Sequence, residues 1–122
     1  MKVMQFLAVC LFALATVVTT QVIAANYPKD LYGIWTSGDP NTCNKNANSH
    51  QVKVISIHNK NRGTAGETCS ALKVTGKNGA YTIKEECSLE GETAKGNIKY
   101  KRDGNTLTVG SGKYATKYQK CQ

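Results

Sequence analysis

The chain has 122 residues, a formal net charge of +8, five cysteines and one tryptophan. Once an export signal is removed, this length suffices for a single domain and excludes a second one. The positive charge favours acidic partners and polyanions over basic ones.

The first 24 residues are predicted to be an export signal. Lys2 supplies a positive start, residues 3–15 are almost wholly apolar, and Ala24 suits the position before a cleavage site. Polar residues from Thr16 onward end the apolar run short of the ~20 residues that a membrane span needs. We therefore expect cleavage after Ala24 and a periplasmic or secreted domain, residues 25–122, with no transmembrane segment.

Four cysteines remain in the predicted domain, and an even number in an exported chain predicts two disulfides. They are Cys43, Cys69, Cys87 and Cys121. The domain has few large aliphatic residues, and small exported domains of this kind are usually stabilised by disulfides, each worth ~2–4 kcal/mol. No Cys-x-x-Cys pair is present, so zinc is the weaker alternative, and we expect neither a metal nor a cofactor.

The pattern of apolar residues predicts seven short strands and no helix. Residues 31–36 form the first strand, and the others are expected at 51–58, 69–74, 80–87, 96–102, 105–110 and 113–118. Residues 25–30 are expected to be a short polar lead, and residues 59–67 a polar turn. Turn signals between all the strands are typical of an all-β barrel or sandwich built as an antiparallel meander.

Three positions give more local detail. Trp35, on the inner face of the first strand, is predicted to plug the core at one barrel end. The apolar residues of the second strand change from one face to the other between Val54 and Ile55, which indicates either a bulge or burial of both faces. Asp103-Gly104 is predicted to form a two-residue type I′ hairpin turn.

The predicted hairpin at residues 76–79 also bears on the disulfides. It sets Cys69 nearly opposite Cys87, so we expect these two to pair, and by exclusion Cys43 pairs with Cys121. Three connectivities are possible for four cysteines from sequence alone.

Basic residues concentrate near the end of the chain. From residue 95 to residue 122 there are seven basic side chains and one acidic one. The predicted binding face consists of Lys99, Lys101, Arg102, Lys113, Lys117 and Lys120. The alternative is that these charges serve solubility and protect strand edges from pairing.

Two other charged groups are candidates for chemistry. Glu85, Glu86, Glu90 and Glu92 are expected to form a solvated rim, with calcium binding as a weaker alternative. His50 and His58, with Arg62 and Glu67, are the residues that a ribonuclease-like hydrolase would use as acid, base and phosphate ligand.

The run Leu31-Tyr32-Gly33-Ile34-Trp35, followed by Cys43, resembles the opening of small exported bacterial β-barrels. Gly33-x-Trp35 is similar to the Gly-x-Trp of lipocalin-like barrels, and the spacing to Cys43 resembles that of periplasmic metalloprotease inhibitors. Small uncharacterised exported proteins of alphaproteobacteria are similar in their early Trp and four spaced cysteines. The resemblance implies a barrel, and the inhibitor family inserts an N-terminal trunk into a protease, for which only residues 25–30 are available.

These patterns together predict a monomeric, non-enzymatic exported binding protein that acts through surface loops and its basic face. Inhibition of a hydrolase is the most specific form of this prediction. We expect the partner to be a protein or an anionic component of the envelope or the extracellular space, and not nucleic acid. The alternatives are the His50/His58 hydrolase and a carrier of a small apolar ligand.

Overall fold

The computed structural model describes residues 25–43 and 52–122. The predicted export signal and His50 lie outside these ranges. Within them the chain is an all-β domain with three short 3₁₀ turns. No helix in the described part is both long and apolar enough to cross a membrane.

Eight strands form one closed antiparallel barrel in which each strand pairs with its neighbours in chain order. The strands are β1 Gly33–Thr36, β2 Val54–Ile57, β3 Asn61–Thr64, β4 Glu67–Lys77, β5 Ala80–Leu89, β6 Glu92–Asp103, β7 Thr106–Val109 and β8 Thr116–Lys120. The barrel closes where Trp35 of β1 lies opposite Lys120 of β8. This closure selects the barrel over the sandwich and corrects the expected seven strands to eight.

The additional strand is β3, in the stretch that was expected to be a polar turn. Its sequence, Asn-Arg-Gly-Thr, has no apolar alternation, and Arg62 is its one buried residue. Backbone pairing with β4, from Asn61 opposite Ser70 to Thr64 opposite Glu67, holds it in the sheet. A strand defined by backbone pairing alone leaves no periodic signal in the sequence.

The last strand also differs from its prediction. Gly112–Tyr114 form a 3₁₀ turn, and β8 begins only at Thr116. Tyr114 is therefore 79% exposed instead of sharing the core face with Tyr118. The two glycines around Ser111 let the chain turn before the strand starts, because both have positive φ.

The two other local predictions have clear outcomes. Val54 and Ile55 are both buried, and β2 pairs with β1 without a register shift, so burial of both faces is correct and the bulge is not. In the β6–β7 turn only Gly104 has positive φ, at 63°. This matches the requirement of a type II′ turn, so the expected type I′ turn is wrong.

Trp35 belongs to the buried core and has no exposed surface. Its indole Nε1 donates a hydrogen bond to the carbonyl of Leu31 at 3.0 Å. Gly33 has a φ of 135°, and an added Cβ would lie 3.2 Å from Cε of Lys120. The positive φ favours glycine two residues before the tryptophan, whereas the close atom belongs to the flexible end of the Lys120 side chain.

The segment before β1 is part of the core and not a free lead. The amide of Tyr27 donates to the carbonyl of Asn59 at 2.8 Å, and the amide of Ala25 donates to the carbonyl of Ala71 at 3.0 Å. Tyr27 is almost completely buried, and Leu31 ends the 3₁₀ turn Lys29–Leu31 inside the core. These contacts leave no free trunk within residues 25–30.

Both disulfides are present with the expected partners. Cys69 and Cys87 lie directly opposite each other on β4 and β5, with Cα atoms 4.0 Å apart. Cys43 pairs with Cys121, 78 residues later, and fixes the loop after β1 to the end of the chain.

Candidate functional site

The outward face of the sheet formed by β4, β5, β6, β7 and β8 carries a set of lysines, which we call the lysine face. Its members alternate along their strands with inward residues such as Ile83, Tyr100 and Tyr118. All of them are exposed to solvent. The lysine face consists of Lys73, Lys77, Lys84, Lys99, Lys101 and Lys117.

The strand register sets these lysines close together. Lys73 lies directly opposite Lys84, and Thr82 lies opposite Lys99. In the next row Thr108 lies between Lys101 and Lys117. Residues directly opposite on antiparallel strands have Cβ atoms ~4.5–5.5 Å apart, and like charges at such positions destabilise the sheet.

No carboxylate of the described residues neutralises the lysine face. The ion pairs found there join Arg62 to Glu67 and Glu85, and Lys95 to Glu86. None of these involves a member of the lysine face, so no described carboxylate lies within 4.0 Å of its ammonium groups. The face is therefore a concentrated field of uncompensated positive charge, which attracts anions.

A pocket of about 440 Å³ opens within this face. Its lining includes Lys99 and Lys101 together with Thr75, Thr82 and Thr108. The hydroxyl of Thr75 donates to the carbonyl of Thr82 at 3.2 Å. The Thr75 hydroxyl therefore donates within the protein, and the ammonium groups of Lys99 and Lys101 are the donors that suit the oxygens of a carboxylate, sulfate or phosphate group.

Arg102 and Lys120, two of the six residues predicted for the binding face, lie elsewhere. They share the inward parity of Tyr100 and Tyr118, and their cationic groups lie 5.2 Å and 5.8 Å from the ring centroid of Trp35. Arg102 also donates to the carbonyl of Asp30 at 2.7 Å. Both side chains close the barrel end over the indole, so their placement on the outer basic face is corrected.

Lys113 is separated from the lysine face as well. It lies in the turn Gly112–Tyr114, and its Nζ is 5.3 Å from the ring centroid of Tyr114. Of the six predicted residues, Lys99, Lys101 and Lys117 are the ones that the structure brings to one face. Alternation along the expected strand had placed Lys113 and Lys117 on the same face. The 3₁₀ turn at the start of that stretch interrupts the alternation, so the two lysines no longer share a face.

Glu85 is the clearest correction to the predicted acidic rim, because it is buried inside the barrel with 1% of its surface exposed. Its Oε2 accepts hydrogen bonds from the hydroxyls of Tyr27 and Tyr100, each at 2.6 Å. Arg62 donates to Oε1 at 3.1 Å and to Oε2 at 3.2 Å. The register of β5 gives Glu85 the inward parity of Ile83, whereas Glu86, Glu90 and Glu92 stay at the surface.

Burial raises the pKa of the Tyr27 hydroxyl far above its usual value, and its hydrogen bond to the Glu85 carboxylate adds to this effect. Burial also raises the pKa of Tyr100, and that of Tyr118 more modestly. All three phenols therefore stay neutral at physiological pH. They act as hydrogen-bond donors or packing groups in a satisfied interior network, and not as acids or bases for a substrate.

The hydrolase residues are only partly brought together. Arg62 Nη2 lies 4.0 Å from Glu67, but the guanidinium faces inward and contacts Glu85. His58 Nε2 lies 2.9 Å from the hydroxyl of Ser56, and no described contact joins it to Arg62 or Glu67. The described residues thus contain no assembled acid–base pair with a phosphate ligand.

The possible metal ligands that cluster are Glu67, Cys69 and Cys87, whose ligand atoms lie within 4.8 Å of one another. Cys69 and Cys87 are joined to each other as a disulfide. A disulfide has no thiolate to offer a metal ion, so this cluster does not have the donors of a zinc site.

Lys73, Lys77 and Lys84 were missed by the analysis of the sequence. These lysines precede residue 95, outside the strongly basic last part of the chain. The available signal was strand parity, since Lys73 and Lys77 alternate with Val74, and Lys84 follows Ile83. Combining the lysines of β4, β5, β6 and β8 into one face required the strand register, which only the fold supplies.

No family model, curated protein or solved structure matches this chain.

Proposed function

We propose that this chain is an exported, non-enzymatic binding protein that recognises an anionic partner through the lysine face. The observation that carries the proposal is the direct opposition of Lys73 and Lys84 beside the Lys99 and Lys101 pocket, with no described carboxylate to compensate them. Such an arrangement costs stability in the free protein. A bound anion relieves that cost, because it supplies the missing counter-charge.

Export is part of the proposal. It rests on the positive, apolar and cleavable pattern of the first 24 residues. Two disulfides in a small domain agree with an oxidising compartment, where such bonds persist. In that compartment the partners of suitable charge include acidic protein surfaces, among them those of hydrolases, and anionic polymers of the envelope.

The test compares two double variants of the oxidised domain that change net charge equally. Lys84→Glu/Lys99→Glu reverses two charges on the lysine face. Lys53→Glu/Lys60→Glu reverses two exposed charges outside β4–β8 and is the matched control. Binding to heparin and to poly-glutamate is measured by calorimetry over a series of salt concentrations.

We expect the lysine-face variant to bind at least about tenfold more weakly and with a shallower salt dependence, since short-range charge pairs are lost. The control is expected to stay within about twofold of the parent protein. Equal losses in both variants would show that only overall charge matters. Absence of binding to either polyanion by the parent protein would overturn the proposal.

A further inference from the structure

The strand β6 has an open edge, although it belongs to a closed barrel. On one side β6 pairs with β5 from Lys101, opposite Ala80, down to Glu92, opposite Leu89. On the other side β7 pairs only with the last part of β6, from Tyr100 to Asp103. No described residue pairs with the remaining stretch on that side. We call this stretch, residues 92–98, the β6 edge.

The direction of the free backbone groups follows from one hydrogen bond. The carbonyl of Lys99 accepts from the amide of Gly110 at 2.8 Å, so the groups of Lys99 face the β7 side. In an antiparallel strand, alternate residues direct both their N–H and C=O groups to the same side. Thr93, Lys95 and Asn97 therefore direct their amides and carbonyls away from β5, toward the open side of the strand.

This edge is accessible. Every residue from Glu92 to Asn97 is exposed, so both faces of the strand meet solvent. A Cβ built at Gly96 would have no atom within 4 Å. Proteins usually block such edges with proline, bulges or covering segments, and a barrel normally removes them by closure. The β6 edge has no proline, its register with β5 is continuous, and a single lysine interrupts it.

The charge along the edge is mixed: Glu92 begins it, and the positive charge lies toward the Lys99 end. Lys95 lies at the edge and Lys99 follows on the same outward parity, with Lys101 beyond it on the lysine face. Lys95 has a weak exposed contact with Glu86 at 3.9 Å. A chain that pairs with this edge places one side chain opposite Lys95 and ends beside Lys99, whose carbonyl already accepts from Gly110.

We propose that the β6 edge binds an extended acidic segment of a partner protein, which adds to the sheet as a further strand. The backbone of Thr93, Lys95 and Asn97 supplies the hydrogen bonds, and this mode of recognition places alternate side chains on one face. Acidic residues at those alternate positions lie beside Lys95 and Lys99. The preference for acidic residues rests on the function proposed above, whereas the open edge does not.

A second copy of this chain is a poorer occupant. In an antiparallel pairing of two β6 edges, the residues of one copy whose backbone groups face the open side lie opposite the same set of residues in the other copy. Lys95 and Lys99 of both copies then lie on the same face within one or two residues. Like charges at such positions destabilise the pairing, so the edge selects an acidic strand over itself.

The first experiment uses two peptides of identical composition. One alternates glutamate with threonine, and the other places all its glutamates before its threonines. Binding is measured by calorimetry and by hydrogen exchange of the oxidised domain. We expect the alternating peptide to bind at least about tenfold more tightly and to protect the amides of Thr93, Lys95 and Asn97. Equal affinities without protection would overturn the strand proposal.

The second experiment blocks the edge without breaking the barrel. Asn97→Pro removes an amide that faces the open side, so the ladder to β5 keeps its hydrogen bonds, and Asn97→Ala is the matched control. We expect Asn97→Pro to weaken binding of the alternating peptide about tenfold or more, and Asn97→Ala to have little effect on that binding. An unchanged affinity in Asn97→Pro, with its thermal stability close to that of Asn97→Ala, would also overturn the proposal.

The same measurements separate this inference from the proposed function. If both peptides bind equally and Lys84→Glu/Lys99→Glu weakens both, recognition of charge stands and strand addition fails. If a version of the alternating peptide with glutamine in place of glutamate binds as tightly, strand addition stands and the preference for acidic partners fails.

Discussion

Arg62 and Glu85 form a two-contact ion pair inside the barrel, with Nε 3.2 Å from Oε2 and Nη2 3.1 Å from Oε1. Arg62 comes from β3 and Glu85 from β5, on either side of β4, so the pair joins two strands that do not themselves pair. The remaining donors around the carboxylate are two tyrosine hydroxyls. The carboxylate is therefore buried only because the fold surrounds it with partners.

Removing one partner of this pair is expected to be costly. Arg62→Met leaves Glu85 as a buried charge without its cation, and we expect the free energy of unfolding to fall by ~3–5 kcal/mol. Lys95→Met, which breaks the exposed contact with Glu86, is the control and is expected to lose no more than ~1 kcal/mol. Urea unfolding followed by tyrosine and tryptophan fluorescence measures both. Similar losses for the two variants would contradict a buried charge pair.

The buried tyrosines predict a loss of stability in alkali. The folded-state pKa values of Tyr27 and Tyr100 lie above the unfolded value of ~10, so stability is complete below pH 10 and falls as the pH rises further. Each tyrosine contributes a slope of about 1.4 kcal/mol per pH unit there, because the unfolded chain loses its proton first. Denaturant unfolding between pH 8 and about pH 11.5 gives this slope.

Two substitutions check the assignment. Tyr100→Phe is expected to remove its part of the alkaline slope, although it also loses a hydrogen bond to Glu85 at every pH. Tyr114→Phe is the control, because Tyr114 is exposed and its ring contacts only Lys113 among the described aromatic contacts. An alkaline slope that is the same in Tyr100→Phe as in Tyr114→Phe would contradict the role of the buried phenol.

The two disulfides are expected to contribute unequally. In the chain-entropy description, the Cys43–Cys121 bond closes a loop of 78 residues and the Cys69–Cys87 bond one of 18. Their expected contributions are about 4.5 and about 3 kcal/mol. Replacing each pair by alanine and measuring urea unfolding tests the order. A Cys69→Ala/Cys87→Ala variant less stable than Cys43→Ala/Cys121→Ala would show that the contact of Arg62 with Cys69 Sγ, at 3.1 Å, outweighs loop length.

The contact of Arg102 with Trp35 is open to a spectroscopic test. Trp35 is the only tryptophan, so its fluorescence reports on this barrel end alone. Arg102→Lys keeps the charge but cannot maintain both the stacking and the two carbonyl contacts of the guanidinium. We expect a red-shifted emission and a loss of ~1–2 kcal/mol in unfolding free energy. Lys101→Arg, on the outer face of the same strand, is expected to leave the emission unchanged.

The predictable parts of the fold are those with a local signal. Alternating apolar residues located seven of the eight strands approximately, and the hairpin after Gly76 correctly set Cys69 opposite Cys87. The core position of Trp35 was also predicted. Each of these depends on residues that lie near one another in the chain or alternate along one strand.

Strand β3 and the inward turn of Glu85 could not be predicted in this way. Glu85 depends on partners 15 to 58 residues away, namely Tyr27, Arg62 and Tyr100. Strand β3 pairs with the next strand, β4, but its own sequence has no apolar alternation to mark it. A carboxylate beside three other acidic residues has the pattern of a surface group. It becomes an interior group only when its partners are already in place.

The candidate site shows the same division. Sequence composition and strand parity determined that this domain is all-β, cysteine-rich and strongly basic toward its end, because those properties belong to single residues and their near neighbours. The tertiary structure decided which of the cations share a face, which ones close the barrel over Trp35, and where β6 keeps an open edge. The shared face and the open edge depend on the register between neighbouring strands, and the closed barrel end depends on the pairing of β1 with β8, which are distant in the chain. Register and closure are set by pairing across the whole sheet, which the pattern within one strand does not specify.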